Sequence, residues 1–105
     1  MLRLVQLLCR GPAQLFGLDR HGKIAAGQNA SLTIVDLKRR STISDGWVVT
    51  KVGWTAYDGM EVTGWPVGTF VRGNPVVWEG QLRGMPAGKP TSFAGSMSAP
   101  NLLAV

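Results

Sequence analysis

Two β-rich runs, Thr69-Phe70-Val71-Arg72 and Pro75-Val76-Val77-Trp78-Glu79, flank Gly73-Asn74, and no other feature constrains the fold as tightly. A two-residue primed turn needs positive φ, which glycine and asparagine adopt without steric strain. The spacing therefore predicts an antiparallel hairpin. Gly80 ends its second strand. Fourteen glycines and six prolines in 105 residues extend the argument to the whole chain: strands and turns, not long helices. At this length the chain is one small domain at most, and a chain of this size buries only about two thirds of its unfolded surface. A hydrophobic content of 45% argues against disorder throughout.

Upstream, Leu2, Leu4, Val5, Leu7 and Leu8 recur at helical spacing, so residues 2–10 read as a helix with an apolar face. Gly11-Pro12 is expected to break it. Pro12 suits the first turn of a second short helix, which Gly17 stops. From Gly22 the period changes. Lys23 to Ala26 reads as a short strand, Gly27-Gln28-Asn29 as a turn, and Ser31 to Leu37 as a second strand. Leu32 and Ile34 share one face of it and Val35 and Leu37 the other, so both faces are expected to be covered. Ser41 to Asp45 is a polar turn and Trp47-Val48-Val49 a third apolar run. Residues 53–68, with four glycines and a proline, read as a structured loop. Residues 94–105 read as a flexible tail.

Eleven Lys and Arg against six Asp and Glu give a formal net charge of +5. Basic excess can attract nucleic acid or an anionic membrane. Here the charges are scattered, and the one cluster, Lys38-Arg39-Arg40, reads as a solvated strand end. Neither nucleic acid nor membrane is an expected partner. The single cysteine, Cys9, excludes an internal disulfide and fits a reducing compartment; within an apolar helix it reads as a small buried filler. The apolar start, Met1 to Leu8, is short of the roughly 20 residues that span a bilayer. Cytoplasm is the expected location.

A metal site needs several His, Asp, Glu or Cys donors converging at about 2.0–2.3 Å. The chain has one histidine and one cysteine, and no His-x-His or Cys-x-x-Cys spacing. His21 reads as an exposed turn histidine. A nucleophile–base pair would need it beside Cys9 or a serine, and Ser92, Ser96 and Ser98 fall in the loose tail. Asp58 and Glu61 read as loop carboxylates, not as a poised acid and base. No glycine loop leads into a helix N-terminus. Trp47, Trp54, Trp65 and Trp78 could stack bases, but three of the four adjoin apolar runs and read as packing residues. No catalytic, cofactor-binding or metal-binding residue is assigned to this chain.

The tract from Gly53-Trp54 through Asp58-Gly59 and Gly64-Trp65-Pro66-Val67-Gly68 to Val71-Arg72-Gly73 resembles the tail of dihydroorotases and related cyclic amidohydrolases. The likeness extends over residues 1–93. Gly11-Pro12-Ala13-Gln14-Leu15-Phe16-Gly17 is similar to the family's last barrel helices. Gly22-Lys23-Ile24, Gly27, Ala30, Leu32, Ile34, Val35 and Asp36 are similar to its re-entry strand pair. Gly80, Gly84, Gly88-Lys89-Pro90 and Phe93 are similar to its closing strand and tail. Two departures stand out: Ala30-Ser31 where relatives have Ala-Asp, which should weaken a turn, and Ala56-Tyr57 where many have proline before the aromatic.

The resemblance implies a mixed, mostly β chain with short N-terminal helices: the C-terminal end of a (β/α)8 barrel plus a partial β-sandwich. Residues 1–18 would be the last barrel helices and residues 19–93 the end of the sandwich. It implies a hydrolase of cyclic amides, in pyrimidine biosynthesis, that uses zinc held by an early His-x-His, a carboxylated lysine, two histidines and an aspartate. These belong upstream of Met1, and no position here matches them. The chain alone is expected to hold no cofactor and to be inactive, whereas the intact family acts on a small cyclic amide, is expected to form homo-oligomers and supplies the missing barrel as partner. A hydantoinase, dihydropyrimidinase or allantoinase relative is the alternative. A non-catalytic structural partner, for example of aspartate carbamoyltransferase, and a freestanding basic β-rich binding module are further readings. Sandwich strands without their N-terminal partners would leave open edges and apolar faces, so the chain is expected to be marginally stable and to self-associate.

Overall fold

The computed structural model describes residues 1–94. They form a mostly β structure with a short N-terminal helical stretch and an antiparallel sheet. The tail expected at 94–105 lies outside the described residues, apart from Ala94. The chain divides into two compact units: residues 1–31, 71–73 and from 86 onward in one, residues 32–70 and 74–85 in the other.

In the first unit, helix α1 (Leu2–Val5) runs through a π-helical turn (Gln6–Arg10) into helix α2 (Gly11–Leu15). The break expected at Gly11-Pro12 does not occur. A proline inside a helix removes a hydrogen bond and drives its ring against the carbonyl four residues back. The wider π turn makes room for that ring, and Gly11 N–H bonds Gln6 O, five residues back. The helical face is open: Leu2 is 88% exposed and Leu8 68%. Cys9, expected as buried filler, is likewise exposed. Ala13 is the buried apolar side chain here, packed where Gly22 approaches so closely that a Cβ on the glycine would lie 2.5 Å from the Ala13 Cβ.

Residues 23–26, expected as a strand, form none; Gln28 N–H closes a turn on Ala25 O and Ile24 stands exposed. Strand formation needs a neighbouring backbone, and no described strand pairs with this segment. Leu18 and Phe93 form an isolated antiparallel bridge. Gly17 at the end of the helix accepts from Ala94 N–H, and Asp19 N–H bonds Ser92 O.

The second unit carries a four-stranded sheet in the order β1-β2-β3-β4, with β1 Leu32–Thr42, β2 Glu61–Val71, β3 Asn74–Trp78 and β4 Gln81–Leu82. Each strand lies beside its sequence neighbour. The expected hairpin is present, but its two-residue turn is Arg72-Gly73, one residue earlier than Gly73-Asn74, with φ of 51° and 82°. Positive φ at both central residues matches the type I′ turn, whose twist suits paired strands. The same device recurs at Glu79-Gly80, where Trp78 pairs with Gln81 across the turn.

Residues 61–68, expected as loop, are the first part of β2. Gly64 and Pro66 read locally as breakers, yet both sit where the β1–β2 register is irregular. Ile34 faces Gly68 and Val35 faces Pro66, so Val67 is the extra residue of a bulge. A bulge is where an inner strand tolerates a residue without an N–H, and Val67 O is taken instead by Glu79 N–H. On β1, pairing jumps from Asp36–Trp65 to Arg40–Thr63. Lys38-Arg39 therefore lies in a bulge within the strand, not at a strand end. Asp36 Oδ1 accepts from Lys38 N–H and Arg39 N–H, satisfying the donors that the ladder leaves.

The packing kernel of this unit is thin. Trp78 lies across the buried Gly68, and Trp47 meets Trp65 with ring centroids 5.0 Å apart at 58°. Such a pair contributes roughly 0.5–1.5 kcal/mol. Both faces of β1, expected to be covered, are open: Leu32 and Ile34 on one side and Val35 and Leu37 on the other are all exposed. Residues 43–60 are tied by carboxylates. Asp58 Oδ1 accepts Asp45 N–H, Asp45 Oδ1 accepts Thr55 N–H, and Ile43 O accepts Gly59 N–H. The Arg39–Glu79 ion pair, at 2.6 Å, is half exposed and contributes less than about 1 kcal/mol.

Candidate functional site

The first unit brings four distant segments around one cleft of about 510 Å³. Residues 17–21 leave the helix, residues 29–31 return beside them, the Arg72 turn closes a third side, and residues 88–92 close the fourth. Backbone bonds stitch these segments together. Arg20 O accepts Asn29 N–H at 2.9 Å, Ala30 O accepts Gly73 N–H at 2.8 Å, and Ser92 O accepts Asp19 N–H at 2.9 Å.

Ser31 Oγ accepts the Arg72 N–H at 3.2 Å. A hydroxyl thus holds the turn at Arg72. His21, expected as an exposed turn residue, is half-buried, because the turn folds it against Asn29; Asn29 Nδ2 donates to His21 Nε2 at 3.1 Å. This contact holds the imidazole ring against the returning segment. Ser92 Oγ donates to Asp19 Oδ2 at 3.2 Å and not to His21. Side chains that could have formed a nucleophile and base are therefore bound to other partners. Most of the residues lining the cleft are polar or charged.

Arg20, Arg72 and Lys89 line it together with the single carboxylate of Asp19. Arg20 has a left-handed backbone with φ of 56°. Of the residues weighed from the sequence, His21 and Ser92 reach this cleft. Asp58 is a backbone acceptor in the other unit, and Glu61 is the first residue of β2, opposite Thr42. Trp47, Trp65 and Trp78 pack as described, and Trp54 is exposed. Ser96 and Ser98 lie outside the described residues. Arg20, Arg72 and Lys89 counted in the sequence as scattered charges; their meeting depends on turns far apart in the chain.

The zinc implied by the resemblance finds no matching donors. Among the described residues no three His, Cys, Asp or Glu side chains converge. The lone histidine has Nε2 engaged by an amide, and the lone cysteine is exposed on a helix. The donor set of the described residues does not fit the ion. Among the described residues, no helix is long and apolar enough to cross a membrane.

Comparison with known proteins gives this geometry its context. The Amidohydrolase family model matches residues 1–76. A dihydroorotase of Pyrococcus furiosus is 37% identical over 86 residues, which are 82% of this chain and 20% of that protein. An L-hydantoinase of Paenarthrobacter aurescens is 37% identical over 81 residues, 76% of this chain and 18% of that protein. The solved L-hydantoinase (dihydropyrimidinase) from Arthrobacter aurescens superposes with a TM-score of 0.72 at 36% identity, covering 77% of this chain and 18% of that one. The chain thus spans about a fifth of the length of the curated relatives it matches. With the family model matching most of its residues, this chain belongs to the amidohydrolase family.

Proposed function

We propose that this chain is the C-terminal part of a dihydroorotase-like cyclic amidohydrolase. The parent hydrolyses a carbon–nitrogen bond of a cyclic amide in pyrimidine biosynthesis, in the cytoplasm, with zinc held by residues outside this chain. Residues 1–18 are then its last barrel helices and residues 19–93 the end of its small β-sandwich. The observation that carries this reading is the shape of the match: 82% of this chain aligns with only 20% of a dihydroorotase. The uncovered apolar faces of the helix and of β1 support it, because such faces suit surfaces that pack against more protein.

The test has two arms. Sequencing the DNA upstream of the Met1 codon should reveal an in-frame stretch encoding a His-x-His and barrel strands. Purified chain, supplied with zinc, should leave dihydroorotate unopened. Ring opening by the chain with its own bound zinc would overturn the proposal.

A hydantoinase parent is the second reading, favoured by the L-hydantoinase match in both sequence and structure. The intact parent, once obtained, discriminates: turnover of dihydroorotate supports the first reading, and turnover of hydantoin or dihydrouracil without it supports the second.

A further inference from the structure

The cleft of the first unit has a charge balance that the family reading does not use. Three cationic side chains, Arg20, Arg72 and Lys89, line it with one carboxylate, and that carboxylate already accepts the Ser92 hydroxyl. We propose that this cleft binds a small oxyanion, the phosphate or carboxylate group of a small molecule, chiefly through the Arg20 guanidinium and the Lys89 ammonium.

Several observations converge on this. A volume of about 510 Å³ is ample for a small anionic molecule. Guanidinium presents a planar fork of donors matched to phosphate and carboxylate oxygens, and an ammonium adds a compact point charge. Arg20 lines the cleft from left-handed backbone, a conformation in which glycine or asparagine is the usual occupant. Asn29 Nδ2 lies 3.1 Å from His21 Nε2, so the ring is held at the cleft as a further polar group. Ser31 adds a hydroxyl whose oxygen already accepts the Arg72 amide and whose proton is left to donate. The lining is thus rich in donors, while its carboxylate already accepts one of them, the Ser92 hydroxyl.

The test is titration of 15N-labelled chain with inorganic phosphate and, separately, with malonate, at constant ionic strength. Amides of residues 20, 31 and 89 and the Asn29 side-chain amide should shift saturably. Saturation by phosphate alone assigns the ligand to phosphate compounds; saturation by both assigns it to dianions generally. Arg20→Asn keeps a residue tolerant of left-handed backbone and removes the charge. Lys89→Gln lies in a separate loop. Each should weaken binding about tenfold, the effect of losing one charge-assisted hydrogen bond. Arg83→Gln, in the other unit, should leave binding unchanged.

Linear, unsaturable shifts with both anions would overturn the proposal, since they describe general attraction to a chain of net charge +5. Equal losses from Arg83→Gln and Lys89→Gln would overturn it too. If Arg20→Asn fails to fold, Lys89→Gln decides. If the chain self-associates at NMR concentrations, melts at low concentration decide instead: phosphate should raise the wild-type Tm and not that of Lys89→Gln, and equal rises overturn the proposal.

Discussion

The contact between Gly68 and Trp78 isolates one steric term. A Cβ built on Gly68 would lie 2.7 Å from Trp78 Cζ3 and 2.8 Å from Cε3. Carbon atoms in good contact sit at about 3.5–4.0 Å, so the indole must retreat by roughly 0.7 Å or more. Gly68 is not among the residues with positive φ, so alanine meets no backbone strain there. Two opposing effects then set the outcome of Gly68→Ala. Replacing glycine within a strand stabilises by roughly 0.5–1 kcal/mol through the unfolded chain. Overpacking against the ring costs about 1–3 kcal/mol. The net expectation is a loss of roughly 0.5–2 kcal/mol, or a Tm lower by about 2–16 °C for a chain this small. Melts followed by circular dichroism give the loss, and the Trp78 indole N–H resonance reports whether the ring moved. The decisive comparison is the same substitution in a Trp78→Leu background, where the ring is gone and alanine should be neutral or stabilising. If Gly68→Ala costs as much without the indole as with it, the steric account is wrong.

Gly22→Ala should be harsher, since φ is +90° and the new Cβ would lie 2.5 Å from that of Ala13. A loss above about 2 kcal/mol is expected, read as depleted helical circular dichroism. Ser31→Ala removes the acceptor for the Arg72 amide and should destabilise by about 0.5–1.5 kcal/mol, whereas Ser31→Asp should restore or exceed wild type; amide exchange at Arg72 checks both. Leu2, Leu8, Ile24 and Val49 are among many large apolar side chains left in water, so the chain should sediment as a concentration-dependent oligomer and bind a hydrophobic dye. A monodisperse monomer that ignores the dye would contradict that.

The parts of the fold legible in the sequence are those fixed by local chemistry. The hairpin follows from a turn that only certain residues enter, and it was displaced by one position because Arg72 accepts φ of 51° when paired strands require it. Residues 61–68 were illegible because Gly64 and Pro66 signal interruption locally, while β1 supplies a bulged partner that absorbs both. The reverse error occurred at Lys23 to Ala26, where strand-forming residues find no neighbouring backbone. The helix ran through Gly11-Pro12 because a single widened turn accommodates the ring, a solution with no compositional mark. The cleft was hidden for a related reason. Its cations, Arg20, Arg72 and Lys89, are far apart in the chain and line one cleft only through turns such as those at Gly17, Arg20 and Gly73.

The paired left-handed turns at Arg72-Gly73 and Glu79-Gly80 have a kinetic consequence. They let residues 61–82 fold back on themselves twice with contacts that are close in sequence, so this ribbon loses little loop-closure entropy as it forms. Hairpins assemble in about 1–10 μs, far sooner than pairings that must draw in remote chain. The ribbon is therefore where assembly should begin, with β1 added later across the long excursion of residues 43–60. Substitutions at Gly73 should slow refolding, and substitutions at Ile34 should mainly hasten unfolding.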